Sequence, residues 1–331
     1  MRTSLSAAAR HRLLLGGQVA LGAGLVGFLG LEVWRSWAEI RPRVADMDWR
    51  YVALAALAVA VYYMAFVPGW MLLLRGAGMR LGYRQALGAE MLSMLAKYIP
   101  GGIWTPAARL LVTRRAGLPN GPVLITVLYE AGLSAIAGVV VFALALPLQD
   151  DVQLPVPAWS IAAFAVVLLL LMHPRVAPRV FDRLLRRIDG SAVPRLPLRT
   201  LGLTFCWYLL TWLVSGLALT LMVRAVADIP LTSAPYLGGV SAIGAIVAVL
   251  VVFAPSGLGV REGATYLLLL TVVDPAGALV VVALNRLLIT AVEVVLLAAV
   301  GGLRRGARVR DELRETSLPT AGLTVADGPE R

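Results

Sequence analysis

Cysteine is almost absent from this chain of 331 residues: Cys206 stands alone, so neither an intrachain disulfide nor a cysteine-built metal cluster is open to it. Histidine is nearly as scarce. His11 and His173 each sit beside an apolar run, where they suit a membrane interface better than a ligand set, and no metal is expected. The sequence has no Gly-x-x-x-x-Gly-Lys-Ser/Thr loop, the usual cradle for a nucleoside triphosphate, and no cofactor is expected. Lysine occurs once, at 97, and charged residues make up only 15% of the chain.

Apolar residues fill the space that charge leaves. They account for 59% of the chain, its mean hydropathy is +0.82, and runs long enough to cross a hydrocarbon core recur along its length. These features make an integral membrane protein. The net charge of +11 resides in arginines gathered between the apolar runs, so the acidic partner expected is lipid headgroup, and no nucleic acid. A bias to Ala, Arg, Gly, Leu and Val, with only two Asn, suits a bacterial genome rich in GC.

In chain order, residues 1–12 form a short basic cytoplasmic segment, residues 13–302 a transmembrane domain, and residues 303–331 a cytoplasmic, largely disordered tail. The run from Leu13 to Val33 exceeds the roughly 7 to 15 residues of a signal peptide core and reads as a retained first span. Inside it, Gly22-Ala23-Gly24-Leu25-Val26-Gly27 matches a dinucleotide fingerprint in form only. No strand precedes it, and small residues at this spacing let membrane helices approach closely.

Further spans are expected near 51–74, 123–146, 158–173, 201–223 and 278–300. Residues 83–96 are too short: at 1.5 Å per residue they reach about 21 Å, against a core of about 30 Å. They lead into Lys97-Tyr98-Ile99-Pro100-Gly101-Gly102-Ile103-Trp104, a helix-breaking stretch from which the chain returns as a second short helix. A similar break, Pro255-Ser256-Gly257-Leu258-Gly259-Val260-Arg261-Glu262-Gly263, follows an apolar run over 237–254.

The fold class expected is therefore an all-α polytopic membrane protein with about seven to eight spanning helices plus two broken-helix, re-entrant-like hairpins. If the second hairpin enters from outside, the two form an inverted repeat; alternatively, its first leg crosses fully and its break lies at the cytoplasmic face. Arginine-rich loops around 175–199 and 304–310 place both termini in the cytoplasm of a multi-pass bacterial inner-membrane protein. Phe181 to Ile188 reads as a topology signal, with a short amphipathic helix on anionic lipid as the second reading.

Eight charges lie within or beside apolar segments: Glu90, Lys97, Arg109, Glu130, Arg261, Glu262, Arg286 and Glu293. Each costs roughly 2.5 to 3.5 kcal/mol at the bilayer centre, so they should face the bundle interior. One role is structural pairing, and on this reading Arg286 and Glu293 draw their partners from other helices. The other is binding. Lys97 and Arg261 adjoin unwound backbone, where free N–H groups and a helix N-terminus favour phosphate.

The two breaks, Lys97-Tyr98-Ile99-Pro100-Gly101-Gly102-Ile103-Trp104 followed by Arg109, and Pro255-Ser256-Gly257-Leu258-Gly259-Val260-Arg261-Glu262-Gly263-Ala264, resemble the transmembrane region of lysylphosphatidylglycerol synthases and their stand-alone flippase-like relatives. The resemblance covers about residues 13–302. It implies lipid handling: in its best-understood members this region is thought to move aminoacylated phosphatidylglycerol between leaflets. About 30 residues follow the last span, so a synthase domain and its aminoacyl transfer are not expected.

The reading drawn is a lipid translocase, not an enzyme, that binds an anionic phospholipid or lipid-linked glycan between the hairpins. Lys97, Arg109 and Arg261 would hold phosphate, while Glu130, Glu262 and Glu293 would balance them or meet a substrate amine. Tyr98, Pro100, Gly101, Gly102, Trp104, Pro255, Gly257, Gly259 and Arg286 complete the expected substrate-binding set. Protein partners would be a second copy or a separate lipid-modifying enzyme. Two alternatives stand beside this: a membrane enzyme acting on a lipid-linked phosphate or sugar, with Glu130 or Glu262 as general base, and a membrane scaffold.

Topology is open to direct labelling. In a Cys206→Ser background, a cysteine replacing Asp150 is expected to react with an impermeant maleimide added to intact cells, and one replacing Gly190 to stay protected. The reverse pattern would turn the protein over in the membrane.

Overall fold

A computed structural model describes residues 41–42, 44–97, 104–148, 158–173, 176–188, 193–250, 257 and 259–316. Those residues form helices: α1 (Trp49–Gly76), α2 (Tyr83–Ala96), α3 (Trp104–Arg115), α4 (Asn120–Ala145), α5 (Ala158–Met172), α6 (Ala177–Ile188), α7 (Leu198–Arg224), α8 (Ala234–Leu250), α9 (Val260–Leu269) and α10 (Pro275–Thr316). Single 3-10 turns follow α4 at Leu146–Leu148 and precede α8 at Leu231–Ser233. No strand occurs among the described residues.

Among the described residues, five stretches are long and apolar enough to cross a membrane: Trp49–Gly76, Asn120–Ala145, Leu198–Arg224, Leu231–Leu250 and Pro275–Gly301. This is fewer than the seven to eight expected. The run over 13–33 lies outside the described residues, and the run over 158–173 folds as the 15-residue α5, about 22 Å long and short of the hydrocarbon thickness. Of the two options for the second break, the 20 residues of Leu231–Leu250 are enough for a first leg that crosses fully.

The membrane dictates what the helix surfaces carry. Leu54, Leu57, Val61 and Met64 on α1, and Leu203, Leu210, Leu213 and Leu217 on α7, stay exposed as apolar surface for lipid. Behind them α1 packs along α7, and α8 packs against both α7 and α4. Glycines make that inner packing close. A Cβ on Gly238 would lie 2.5 Å from the Trp212 carbonyl oxygen, and one on Gly239 would lie 2.5 Å from the Phe142 Cα. The backbone of α8 thus rests directly on α7 and α4, which is how small residues bring helices together where lipid supplies no hydrophobic drive.

Polar groups left over by breaks in regular structure find partners across helices. Pro68 has no N–H for the Met64 carbonyl four residues earlier, and the Tyr83 hydroxyl at the start of α2 donates to that oxygen at 2.9 Å. Trp207 donates to the Ala65 carbonyl at 2.6 Å, and Trp212 to the Ser134 carbonyl at 2.8 Å. Each indole turns its N–H to backbone and its rings to the core.

Helices α2 and α3 pack on each other and flank residues 98–103; α8 and α9 do the same around residues 251–256. Ser93 of α2 donates to the Thr105 carbonyl of α3 at 2.7 Å, fastening the first pair near its turn. Both pairs meet α10, α2 and α9 each packing against it. Helix α10 continues through residues 303–316, and the stretch beyond Thr316, where disorder is expected, lies outside the described residues.

Gly238→Ala is expected to destabilise the folded protein by roughly 1 to 3 kcal/mol, because a carbonyl oxygen cannot move aside as a side chain can. Thermal unfolding of the purified protein in detergent, followed by tryptophan fluorescence, reads this. A melting temperature equal to wild type would mean that α7 and α8 separate easily.

Candidate functional site

Charges in an apolar bundle need partners, and here they gather where the two short-helix pairs meet α1, α4 and α10. Arg109, on the second turn of α3, is 4% exposed. Its guanidinium donates to Glu90 on α2 and to Glu130 on α4, with a further contact of 3.3 Å to the other Glu130 oxygen. The Trp70 ring lies beneath it, 4.6 Å from the guanidinium carbon. Tyr208 of α7 donates to Glu130 at 3.2 Å. One cation thus serves two buried carboxylates, and three helices are joined through it.

The second group is built on α10. Glu293, 2% exposed, accepts from Lys97 at the end of α2 and from the Tyr63 hydroxyl of α1. Two helical turns earlier, Arg286 lies 3.2 Å from Glu262 of α9. Both α10 charges draw partners from other helices, as their seven-residue separation along one face required. Glu262 has a second task. Gly259 is the N-cap of α9 at φ +80°, a conformation that favours glycine, and its N–H donates to Glu262 Oε2 at 2.7 Å. This is one half of a capping box; glycine has no side chain to supply the other half.

Arg261 lies on the first turn of α9, half-buried, and it does not pair with its neighbour Glu262, whose carboxylate is taken by Arg286 and Gly259. Among the described residues Arg261 makes no ion pair. With Glu262, Thr265, Asn285 and Arg286 it lines a small cavity closed by Val282 and Ile289. The cavity is close to Lys97, which feels the charges of both Arg261 and Arg286.

Aromatic rings fill the space between the groups. Tyr62 of α1 is within electrostatic reach of Glu130, Glu293 and Arg261. Its ring contacts Tyr63 (centroids 5.4 Å apart), Phe66 (5.7 Å) and Trp212 (5.9 Å), and Phe66 contacts Tyr208 at 4.8 Å. Tyr208 fits because Gly69 faces it: a Cβ there would lie 2.5 Å from the phenol ring.

Of the expected site residues, the structure brings together Lys97, Arg261, Glu262, Arg286 and Glu293 with Gly259. Gly257, at φ +65°, is held against Ala248 of α8. Arg109 and Glu130 belong to the neighbouring group. Arg109 was expected to hold phosphate; its committed donors and deep burial turn it to a structural ion pair with Glu90 and Glu130 instead. Trp104 opens α3 and is 44% exposed. Tyr98, Pro100, Gly101, Gly102 and Pro255 lie outside the described residues. Glu90, Tyr62, Tyr63, Trp70 and Tyr208 were absent from the expected set. Glu90 was visible as a charge in an apolar segment, and Tyr62-Tyr63 as two hydroxyls in mid-span.

Removing the shared cation should be costly. Arg109→Ala is expected to destabilise the protein by about 3 to 5 kcal/mol, since two buried carboxylates would face each other with no counter-charge. Adding Glu90→Gln to it should recover part of the loss. Thermal melts of the three proteins in detergent test this, and a double variant no more stable than Arg109→Ala would separate Glu90 from the group.

No curated protein matches the chain. The family model described as lysylphosphatidylglycerol synthase TM region matches residues 16–298, which takes in both short-helix pairs, the five apolar spans up to α10 and every charge of the two groups. This chain is a multi-pass membrane protein linked to lipid handling, and it belongs to the lysylphosphatidylglycerol synthase transmembrane-region family.

Proposed function

We propose that this protein binds an anionic lipid headgroup between its two short-helix pairs and carries it across the bacterial inner membrane. Arg261 carries the reading. It is a half-buried guanidinium, without an ion-pair partner among the described residues, that lines a polar cavity in an otherwise apolar bundle. A cation held in such a place is expensive unless an anion visits it. Arg286 and Asn285 line the same cavity, and the N-terminus of α9 adds its positive end.

On this reading the four helices α2, α3, α8 and α9 are the legs of two broken hairpins that flank the headgroup. The substrate is an anionic phospholipid or a lipid-linked glycan phosphate, and the protein moves it without chemistry. Glu130, the general base of an enzymatic reading, is already engaged by Arg109 and Tyr208. Both termini face the cytoplasm, and a second copy or a separate lipid-modifying enzyme would work beside it.

Arg261→Ala is expected to abolish co-purification of an anionic lipid, seen by native mass spectrometry, and to slow the movement of fluorescent phosphatidylglycerol in proteoliposomes by tenfold or more, about 1.4 kcal/mol in binding terms. Arg261→Lys should retain part of both. Wild-type lipid content and rate in Arg261→Ala would refute the phosphate site.

A further inference from the structure

The eight interior charges sum to zero, yet they are not evenly distributed. Around Arg109 there are two carboxylates for one cation, and around Arg261 there are three cations, Lys97, Arg261 and Arg286, for the two carboxylates Glu262 and Glu293. One group therefore carries one negative charge in excess, the other one positive. A lipid phosphate arriving beside Arg261 cancels the positive excess and leaves the negative one uncompensated in a medium of low dielectric.

We infer that the Glu90–Arg109–Glu130 group takes up one proton when an anionic headgroup occupies the Arg261 side, so that lipid and proton move through the protein together as a neutral pair. The inference rests on the headgroup site proposed above.

The geometry selects which carboxylate accepts the proton. Glu293 has Lys97 and a hydroxyl from Tyr63; Glu262 has Arg286 and the Gly259 N–H. Glu130 accepts from Arg109 and from Tyr208. Glu90, 2% exposed, has among the described residues only one guanidinium nitrogen, which belongs to a cation it shares. Glu90 is the least supported anion of the four, and protonation there leaves the Arg109–Glu130 pair intact.

The other groups facing the pair do not alter the count. From α1 come the neutral hydroxyls of Tyr62 and Tyr63, and from α7 that of Tyr208. From α10, which packs on α2, come Glu293, paired with Lys97, and Arg286, paired with Glu262 of α9. Helix α5 has no titratable side chain, α8 has only Tyr236, which donates to the Leu268 carbonyl, and α6 meets α4 through Phe181 on Tyr129. The chemistry is a single proton transfer: a hydronium ion from bulk water gives a proton to the carboxylate, one O–H bond breaking as one forms and neutral water left behind, and the carboxyl returns the proton to water when the headgroup leaves.

The sign of the linkage is fixed. An anion nearby favours the protonated carboxyl, so binding takes up protons and affinity falls as pH rises, by at most about tenfold per pH unit for one linked proton. The test titrates short-chain phosphatidylglycerol into full-length protein in detergent, by calorimetry in two buffers of different ionisation enthalpy and across a range of pH. Expected is a net proton uptake in wild type, lost in Glu90→Gln, whose binding should not vary with pH. Infrared difference spectra of the wild type should gain a protonated-carboxyl band on lipid addition, a readout that needs no variant to fold. Lipid binding without proton uptake, or without that band, overturns the inference and spares the headgroup site. Uptake that persists in Glu90→Gln and in Glu130→Gln overturns the assignment to this group. Absence of phosphatidylglycerol binding overturns both the site and the inference.

Discussion

The cost of charge in hydrocarbon is the constraint on which this architecture rests. Lipid offers no water to an arginine or a glutamate, so the interior charges other than Arg261 meet partners from other helices, and every such meeting fixes two helices together. Arg109 joins α2, α3 and α4; Glu293 joins α10 to α1 and to the end of α2; Glu262 joins α9 to α10. The ion pairs are therefore the connections of the short helices to the spans. Helices of 10, 12 and 14 residues could not hold position in a bilayer by length alone.

The same economy governs uncharged groups. Proline in α1 frees a carbonyl that a tyrosine from α2 takes, and a glycine N-cap gives its N–H to the glutamate that also meets Arg286. In water these groups would be satisfied at no structural cost. In the membrane they become specific links between helices.

Much of this was legible in the sequence. Hydropathy located the long helices to within a few residues, and Pro-Gly clusters with adjacent charges located both short-helix pairs. Charges within apolar runs singled out Lys97, Arg109, Glu130, Arg261, Glu262, Arg286 and Glu293, which the structure divides between two neighbouring groups. What could not be read was which cation meets which anion. Glu262 and Arg261 are neighbours in sequence and line one cavity, yet the carboxylate meets Arg286 of another helix and not Arg261, because successive residues on a helix turn by about 100°. Arg109 looked like a phosphate ligand until two carboxylates from separate helices were seen on it. Tyr208 carries no signal of its own, since a single tyrosine in a span is usually packing. Residues 158–173 read as a span because hydropathy reports composition and not where a helix stops.

The glycine contacts and the ion pairs differ in how they respond to movement. Where α8 rests on α4 and α7, backbone touches backbone, and a slide of even 1 Å brings a carbonyl into collision with a neighbouring chain. Lysine, arginine and glutamate have long stems, and a pair such as Lys97 with Glu293 or Arg286 with Glu262 can follow its partner through a displacement of several ångströms, of the order of a helical turn. The molecule is consequently stiff on one side and compliant on the other: α4, α7 and α8 behave as a chassis, with α2, α9 and α10 hung from it and from one another on springs.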